Sequence, residues 1–464
     1  MSDFSTYQSP FTWRYSSSEM RCTWSELHKR QIWRRMWVYL AQVEYELGIV
    51  NQAQLDDLKS QAANINIDRS FEIEREIHHD LMAEVKAYAE QCPIGGGIIH
   101  LGATSMDIKD NGEVLQTKEA IAILLEKLKG LLLIFADKIE KFAAVPCIAY
   151  THLQPAEPTT LGYRLAGTGQ DLLEDWIRIT SLQKNLRGKG FKGAVGTSAS
   201  YNELIGESKL SFFEGRLSEL LGLSFFPVTG QTYPRSQDFH LISILSGLGA
   251  TLYKFSLDLR ILQSPPFGEI SEPFSEKQVG SSAMPFKRNP IKAEQIDSLA
   301  RTLSQMPPIA WQNAANSMLE RTLDDSANRR SLLPESFLIC DELVGATTKI
   351  LRGLQVDLVK IQKNLDNYAP FAATERLLMA LVQNGADRQV MHEKLRLHSM
   401  AAWNSIQQGS PNDISTRICS DPDLLSYISL EKMALILRSG NYLGLAAQRA
   451  TEMAAGIRST IIKK

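Results

Sequence analysis

The feature that most constrains the fold is a long run of apolar residues at helical spacing, between Asn111 and Ala143. Apolar side chains recur there every three or four positions, which is the period of a helix with one buried face. They are Leu115, Ile121, Leu124, Leu125, Leu128, Leu131, Leu132 and Ile139. The run is about three times as long as an average helix. It therefore predicts the long helices of a bundle rather than an α/β sheet.

The rest of the chain extends this pattern and predicts an all-α fold. Further helices are predicted over 162–187, 238–264, 290–305 and 333–363. No alternating series of strand residues is present, and the turn signals lie between helical segments. Gly-rich loops and a helix end suggest breaks near residues 104 and 356. The predicted domains are an N-terminal helical domain (1–104), a central long-helix domain (105–356) and a C-terminal helical domain (357–464).

Composition limits the classes of partner. The 464 residues carry 50 Lys and Arg against 52 Asp and Glu, so no overall charge draws the chain to nucleic acid or to a membrane surface. No apolar run is long enough to span a bilayer. Five scattered cysteines without CxxC spacing, and no secretory signal, lead us to expect reduced thiols in the cytoplasm. These cysteines are Cys22, Cys92, Cys147, Cys340 and Cys419.

One loop, "QVGSSAMPFKRNPIKAEQ" (278–295), combines two serines, a Lys-Arg pair and Asn-Pro. Its hydroxyls, backbone N–H groups and cations are suited to a negatively charged ligand. The Asn289-Pro290 pair predicts a helix start, with Asn289 as the N-cap and Pro290 at the first helical position. Any cationic site on a chain of balanced charge must be local, and this loop is a candidate.

Three other stretches carry groups for acid–base chemistry or anion binding. "HLGATSMDIKDN" (100–111) precedes the long helix and either binds a carboxylate or phosphate or is an ordinary capped helix start. His152 in "YTHLQPAEPTT" is either an acid–base group or structural. "ERTLDDSANRR" (320–330) is either a phosphate site or a solvated charge run. No nucleotide-binding loop, HExxH or histidine cluster occurs, so no metal and no cofactor is predicted.

The loop at 278–295 resembles the signature of the fumarase/aspartase superfamily, Gly-Ser-Ser-x-Met-Pro-x-Lys-x-Asn. The matching residues are Gly280, Ser281, Ser282, Met284, Pro285, Lys287 and Asn289. "HLGATS", "THLQPA" and "GAVGT" are similar to other blocks of that superfamily, in the expected order. "WRYSSSEM", "HHDLMAE", "TGQTYPR" and "ERTLDDSANRR" resemble its branch that acts on succinylated purine ribotides. Gln295 stands where that branch, in its animal members, usually carries arginine.

The resemblance implies a β-elimination that releases fumarate, in a homotetramer whose central domains form a twenty-helix bundle. Each active site would take residues from three subunits, with small-molecule substrates and neither nucleic acid nor membrane as a partner. It implies Ser281 as general base, His152 as general acid, Glu294 as the carboxylate that orients His152, and Lys287 and His79 as assisting catalytic groups. The implied substrate-binding residues are Arg14, Tyr15, His78, Asp80, Thr104, Ser105, Gln231, Asn289, Arg321, Ser326 and Arg330.

Two alternatives share parts of this pattern. Another lyase of the superfamily, such as argininosuccinate lyase, would keep the serine loop but has no need for the phosphate-binding cluster at 321–330. A non-catalytic protein on the same scaffold, as certain lens crystallins are, would be expected to lose His152, Ser281 or Lys287. All three are present.

Overall fold

The computed structural model describes residues 4–438 and 442–462. Helices dominate it, and the strands among these residues are few and short. The first ten helices are α1 (Ser18–Thr23), α2 (Glu26–Glu46), α3 (Gln52–Gln61), α4 (Ile67–Ile77), α5 (Asp80–Ala89), α6 (Ser105–Lys141), α7 (Leu161–Asn185), α8 (Ala199–Ile205), α9 (Glu207–Leu221) and α10 (Ser236–Gln263). The remaining helices are α11 (Ile291–Ser304), α12 (Met306–Ala315), α13 (Asp324–Arg352), α14 (Leu358–Gln383), α15 (Arg388–Gln407), α16 (Ile414–Cys419), α17 (Pro422–Leu425), α18 (Leu430–Leu437) and α19 (Ala446–Ile462).

The strands form two antiparallel pairs. Strand β1 (Pro146–Thr151) pairs with β2 (Gln154–Thr160) in a hairpin, and β3 (Ile270–Ser271) pairs with β4 (Gln355–Val356). The prediction of an all-α fold is therefore confirmed, with these short strands as local additions. No helix in the described part of the chain is both long and apolar enough to cross a membrane.

The described residues divide into two compact units. Unit 1 is drawn from Met1–Leu128, Glu174–Leu252 and Ser298–Gly345, and unit 2 from Lys129–Leu173, Tyr253–Asp297 and Ala346–Lys464. The boundaries fall inside helices α6, α7, α10, α11 and α13. The division into three helical domains stays a prediction.

The long helices agree with the sequence patterns, with one exception. The predicted helix at 333–363 is wrong, because α13 ends at Arg352 and α14 begins only at Leu358. Gly353 packs so closely that an added Cβ would lie 2.6 Å from the Pro273 side chain. Asp357 then starts α14 by accepting a hydrogen bond from the Lys360 N–H at 2.9 Å. The apolar period of the sequence continues across this break, so the sequence pattern does not reveal that the helix ends.

Unit 1 contains two buried glutamates in contrasting surroundings. Glu84 on α5 is 0% exposed and accepts hydrogen bonds from Arg30 Nε at 3.1 Å and from Arg34 Nε at 2.7 Å. Glu44 on α2 is also 0% exposed, but neither of its carboxylate oxygens has a hydrogen-bond partner among the described residues. Burial without a partner disfavours the charged form and raises the pKa of Glu44 to about 9.

In unit 2 the β1–β2 hairpin lies against α14, with Ile148 in an apolar cluster with Leu365 and Ala369. A larger apolar cluster joins α14, α15, α16 and α18. Gly162, at the start of α7, allows the end of α6 to approach: an added Cβ would lie 2.5 Å from the Ile139 carbonyl oxygen. This packing fixes the hairpin that carries His152.

Candidate active site

A pocket of about 420 Å³ in unit 1 brings together most of the predicted substrate-binding residues. Residues at or just before the starts of α5, α6 and α13 line it. Helix starts favour negative ligands through their unsatisfied N–H groups and the helix dipole. The predicted residues that line the pocket are His78, His79, Asp80, Thr104, Ser105, Gln231, Arg321, Ser326 and Arg330. Arg329, from the candidate phosphate stretch at 320–330, also lines it, and the residues that the sequence interpretation omitted include Lys29, Lys109 and Glu113.

The two histidines lie at the junction between α4 and α5. His78 ends α4 in a left-handed conformation with φ of 54°. His79 caps α5, because the Met82 N–H donates to His79 Nδ1 at 3.3 Å. The neutral ring therefore carries its proton on Nε2, which lies 3.4 Å from Ser105 Oγ. This fixes the tautomer of His79 and directs its Nε2–H to Ser105 Oγ, which also belongs to the pocket wall.

Asp80 joins two cations of the pocket. Its Oδ2 accepts hydrogen bonds from Lys109 Nζ at 2.7 Å and from Arg330 Nη2 at 3.0 Å. Its Oδ1 accepts from the Leu81 N–H at 2.7 Å. Burial acts to raise the pKa of Asp80, but Lys109, the Leu81 N–H and Arg330 outweigh it and lower the pKa to about 2. Asp80 is ionised throughout the neutral range.

A buried ion network lies next to the pocket. Arg329, whose side chain is 4% exposed, contacts Asp238 and Glu113, each at 2.8 Å. Its Nη2 also donates to Tyr233 Oη at 2.7 Å. The network continues through a second buried arginine, Arg235, which binds Asp110 and Asp325, and Asp325 binds Arg321 at 2.9 Å. Ion pairs within the protein therefore fix the guanidinium groups of these arginines, and no ligand is needed to position them.

One buried carboxylate, that of Asp107, connects two Gly-rich loops of unit 1, the loop before α6 and the loop at 188–200. Asp107 on α6 accepts from the Thr104 N–H at 3.0 Å and from the Gly193 N–H at 3.1 Å. It also forms a buried ion pair with Lys189. The hydroxyl-bearing start of α6 and the loop at 188–200 are therefore positioned as one element.

Arg14 and Tyr15 are not among the residues that line this pocket. The segment after them is held by the far half of α13, where Asp341 accepts from the Ser17 N–H at 2.6 Å and from Ser16 Oγ at 2.9 Å. Asp341 follows Arg330 by 11 residues, which is roughly 16 Å along a helix. The structure does not bring Arg14 and Tyr15 together with Arg330.

In unit 2 the loop at 278–295 borders a second pocket, of about 1050 Å³. Lys287 and Asn289 of this loop line the pocket. Ser281 Oγ accepts two backbone hydrogen bonds, from the Ala283 N–H at 3.3 Å and from the Met284 N–H at 3.1 Å. Gly280 has no space for a side chain, since a Cβ would lie 2.1 Å from the Lys287 carbonyl oxygen. The loop is thus folded on its own backbone, with Ser281 inside the turn.

The predicted N-cap role of Asn289 is wrong. Its Nδ2 donates to the Gly280 carbonyl oxygen at 2.8 Å, which closes the base of the loop. Helix α11 begins at Ile291, and the carboxylate of Glu272 accepts from the Lys292 and Ala293 N–H groups at 3.1 and 3.0 Å. A distant glutamate caps the helix, so the asparagine is free to hold the loop.

His152 lies at the tip of the β1–β2 hairpin. The turn consists of His152 and Leu153, whose φ values of 55° and 59° are left-handed and unusual for residues other than glycine. Both residues are exposed. Glu294 is also exposed, and its ion-pair partner in the described part of the chain is Arg260, at 3.8 Å. No hydrogen bond among the described residues joins His152 to Glu294, and their pairing stays a prediction.

The described residues contain no group of three or more His, Cys, Asp or Glu side chains that could hold a metal ion.

Comparison with solved structures shows the same fold in two other enzymes. A 3-carboxy-cis,cis-muconate lactonizing enzyme from Pseudomonas putida superposes with a TM-score of 0.85 at 24% identity, covering 97% of this chain and 99% of that one. A fumarate lyase from Mesorhizobium sp. BNC1 superposes with a TM-score of 0.84 at 21% identity, covering 97% of this chain and 100% of the other.

Sequence comparison narrows the family. Residues 16–303 match the family model described as "Lyase", and residues 370–453 match that of the "Adenylosuccinate lyase C-terminus". Adenylosuccinate lyase of Schistosoma mansoni is 40% identical over 91% of this chain and 89% of its own length. That of Saccharomyces cerevisiae is 36% identical over 97% and 94%, and that of Pyrococcus abyssi 35% over 95% of each chain. The chain therefore belongs to the adenylosuccinate lyase family of the fumarase/aspartase superfamily.

Proposed function

We propose that this chain eliminates fumarate from adenylosuccinate, leaving AMP, and from succinylaminoimidazole carboxamide ribotide (SAICAR), leaving AICAR, in purine nucleotide biosynthesis. Family membership over nearly the whole chain supports a lyase of this type. Argininosuccinate lyase, the alternative, is not favoured, because the full-length relatives described above are adenylosuccinate lyases.

The observation that carries the mechanism is the pair of backbone N–H groups on Ser281 Oγ. The reaction removes a proton from the carbon next to a carboxylate, which leaves an aci-carboxylate intermediate. A neutral serine is too weak a base for this step and must act as an alkoxide. Hydrogen bonds to the charged form stabilise it. The turn of the loop supplies two such bonds before substrate arrives.

Charge that develops on the substrate carboxylate needs donors of its own. Lys287 supplies a cation on the same loop. Asn289 has one amide N–H committed to Gly280 and a second available. In this mechanism His152 protonates the departing nitrogen, and Glu294 of another subunit orients its imidazole.

The unit 1 pocket serves as the recognition site in this proposal. Thr104, Ser105 and Gln231 hold the succinyl carboxylates. Arg321, Ser326 and Arg330 hold the phosphate and ribose, with Arg14 and Tyr15 contributed by another subunit. His78, His79 and Asp80 complete the wall. The convergence of these side chains on one pocket supports their roles.

A direct test follows the ultraviolet absorbance of the purified chain with adenylosuccinate, and then with SAICAR and argininosuccinate. We expect turnover of the first two only, and losses of several orders of magnitude in Ser281→Ala and His152→Ala. Turnover of argininosuccinate alone would overturn the nucleotide assignment.

The proposed assembly is a cytoplasmic homotetramer of three-domain subunits with a central twenty-helix bundle, whose active sites combine three subunits. Two observations support shared sites: no hydrogen bond or ion pair joins His152 to Glu294 among the described residues, and Arg14 does not line the unit 1 pocket. Mixing inactive Ser281→Ala subunits with inactive His152→Ala subunits should restore part of the activity, whereas a site built from one subunit would stay inactive. Light scattering gives the subunit number.

A further inference from the structure

Lys109 lies on the pocket side of α6, although the sequence suggests an ordinary surface lysine. Ser105, Lys109 and Glu113 follow each other at four-residue intervals, so they lie on one face of the helix. All three line the unit 1 pocket. The Lys109 side chain is only 18% exposed, and its ammonium group is fixed against Asp80. The lysine is therefore positioned in the pocket without any ligand.

The charges around Asp80 do not balance. One carboxylate faces two cations, Lys109 at 2.7 Å and Arg330 at 3.0 Å, which leaves a local charge of +1. The ammonium of Lys109 has three N–H donors, and Asp80 takes one of them. Arg330 is 61% exposed at its side chain and bonds Asp80 through one nitrogen. Both cations have donors left for a ligand.

The neighbouring ion network carries no excess positive charge that would attract an anion. It contains Arg235, Arg321 and Arg329, and its carboxylates are Asp110, Asp238, Asp325 and Glu113. Three positive and four negative charges give a net charge of −1. The excess positive charge beside the pocket therefore comes from Lys109 and Arg330, whereas Arg321 offers an anion hydrogen-bond donors without adding net charge.

We propose that Lys109 is a further residue of the subsite for the 5′-phosphate of the substrate, beside Arg330. This inference rests on the proposed function and deepens it. A phosphate monoester carries a charge of about −1.5 to −2 at neutral pH and accepts several hydrogen bonds, which matches two adjacent cations with spare donors. A succinyl carboxylate carries one charge, which the hydroxyls and N–H groups at the start of α6 can hold.

The test measures binding of AMP and of adenosine to the full chain by titration calorimetry. Lys109→Met should weaken AMP binding by about ten- to a hundredfold, the value of one hydrogen bond between charged groups, and leave adenosine binding unchanged. Lys109→Arg, which keeps the charge, should stay within about threefold of wild type for AMP. Lys86→Met removes a charge from an exposed lysine on α5 that does not line the pocket and should change neither affinity.

Turnover separates the phosphate from the succinyl group. Lys109→Met should raise the KM for adenylosuccinate but not for succinyladenosine, its phosphate-free analogue. An equal rise for both substrates would assign Lys109 to a carboxylate instead and overturn the proposal. Unchanged AMP affinity in Lys109→Met, with an unaltered melting temperature, would also overturn it.

The same data distinguish the two levels of inference. A wild-type chain that neither binds AMP nor cleaves adenylosuccinate contradicts the proposed function itself. A wild-type chain that does both, beside a Lys109→Met variant that binds AMP equally well, contradicts only the role of Lys109. Weaker binding of both AMP and adenosine, with a lower melting temperature, would mean that Lys109 is structural and would also overturn the subsite.

Discussion

The pocket of unit 1 and the Ser281 loop of unit 2 are built in different ways. The pocket wall rests on buried ion pairs, such as those of Arg329 with Asp238 and Glu113. The loop from Ser282 to Arg288 is exposed, and hydrogen bonds to its own backbone define the turn around Ser281. The proposed recognition site is thus tied to the stability of the fold, whereas local backbone hydrogen bonds set the geometry of the proposed base, Ser281. Substitutions should therefore separate stability from catalysis.

The largest expected effect is on catalysis alone. Ser281→Ala should lower kcat by about 10⁴-fold, or about 5 kcal/mol in the activation barrier, because it removes the proposed base. The melting temperature should stay within about 2 °C, since Ser281 Oγ only accepts two local hydrogen bonds. Steady-state kinetics and thermal unfolding on the same sample make the check. A kcat within tenfold of wild type would remove Ser281 from the mechanism.

The second prediction compares the effects on stability of two adjacent arginines on α13, Arg329 and Arg330. Arg329→Met should lower the free energy of unfolding by about 3 to 5 kcal/mol, because it removes the cation that pairs with the buried carboxylate of Asp238. Arg330→Met should cost less than about 1 kcal/mol, because its ion pair is exposed, while weakening AMP binding. Urea unfolding compares the two. Equal losses of stability would contradict the idea that burial of the network supports the pocket.

The two buried glutamates should respond with opposite signs. Glu44 has a folded-state pKa of about 9 against an ordinary value of 4.5, so it stays protonated in the fold while the unfolded chain ionises. Wild-type stability should therefore fall as pH rises from 4.5 to 9, by at most about 1.4 kcal/mol per pH unit. Glu44→Gln should abolish this slope and stabilise the chain by up to about 3 kcal/mol at pH 7.

Glu84→Gln is the matched control, since Glu84 is equally buried but paired with Arg30 and Arg34. It should destabilise the chain at neutral pH. Unfolding curves between pH 5 and 9 test both variants, and destabilisation by Glu44→Gln at pH 8 would show that the Glu44 carboxylate has a partner after all.

The smallest effect concerns the hairpin tip. Leu153 has a φ of 59°, which costs a residue with a side chain about 1 to 2 kcal/mol. Leu153→Gly should therefore raise the free energy of unfolding by about 1 kcal/mol, less the entropy that glycine loses on folding. Val228→Gly, at an exposed residue of unit 1 without a left-handed φ, is the control and should bring no gain. A loss in both variants would mean that the tip stores no strain.

Much of the fold was predictable because it depends on local periodicity. The apolar pattern of 111–143 corresponds to α6 at Ser105–Lys141. The β1–β2 hairpin was not predicted, since "THLQPAEPTT" has neither strand alternation nor an Asn-Gly turn, and its turn uses His152 and Leu153 in left-handed conformations. The break at Gly353 depends on Pro273, a contact that sequence spacing cannot reveal.

The site shows the same limit. Motifs identified the pocket residues that belong to known blocks, but not Lys109, which resembles a solvated helix lysine until Asp80 is placed beside it. The interval of four residues from Ser105 was a usable signal. Arg329 and Asp238 are 91 residues apart, and no local pattern pairs them. Likewise, Glu272 rather than Asn289 caps α11, and this depends on a tertiary contact between residues about 20 positions apart.

The interleaved course of the two units has a consequence for synthesis on the ribosome. Unit 1 takes its third stretch from Ser298–Gly345, about 170 residues after its first stretch ends at Leu128. At about 5 to 20 residues per second, the first stretch waits roughly 10 to 30 seconds for Ser298 to be made. Asp238 can pair with Arg329, and Arg235 with Asp325, only after that stretch has been made. The ion network that shapes the pocket is therefore among the last parts of unit 1 to form.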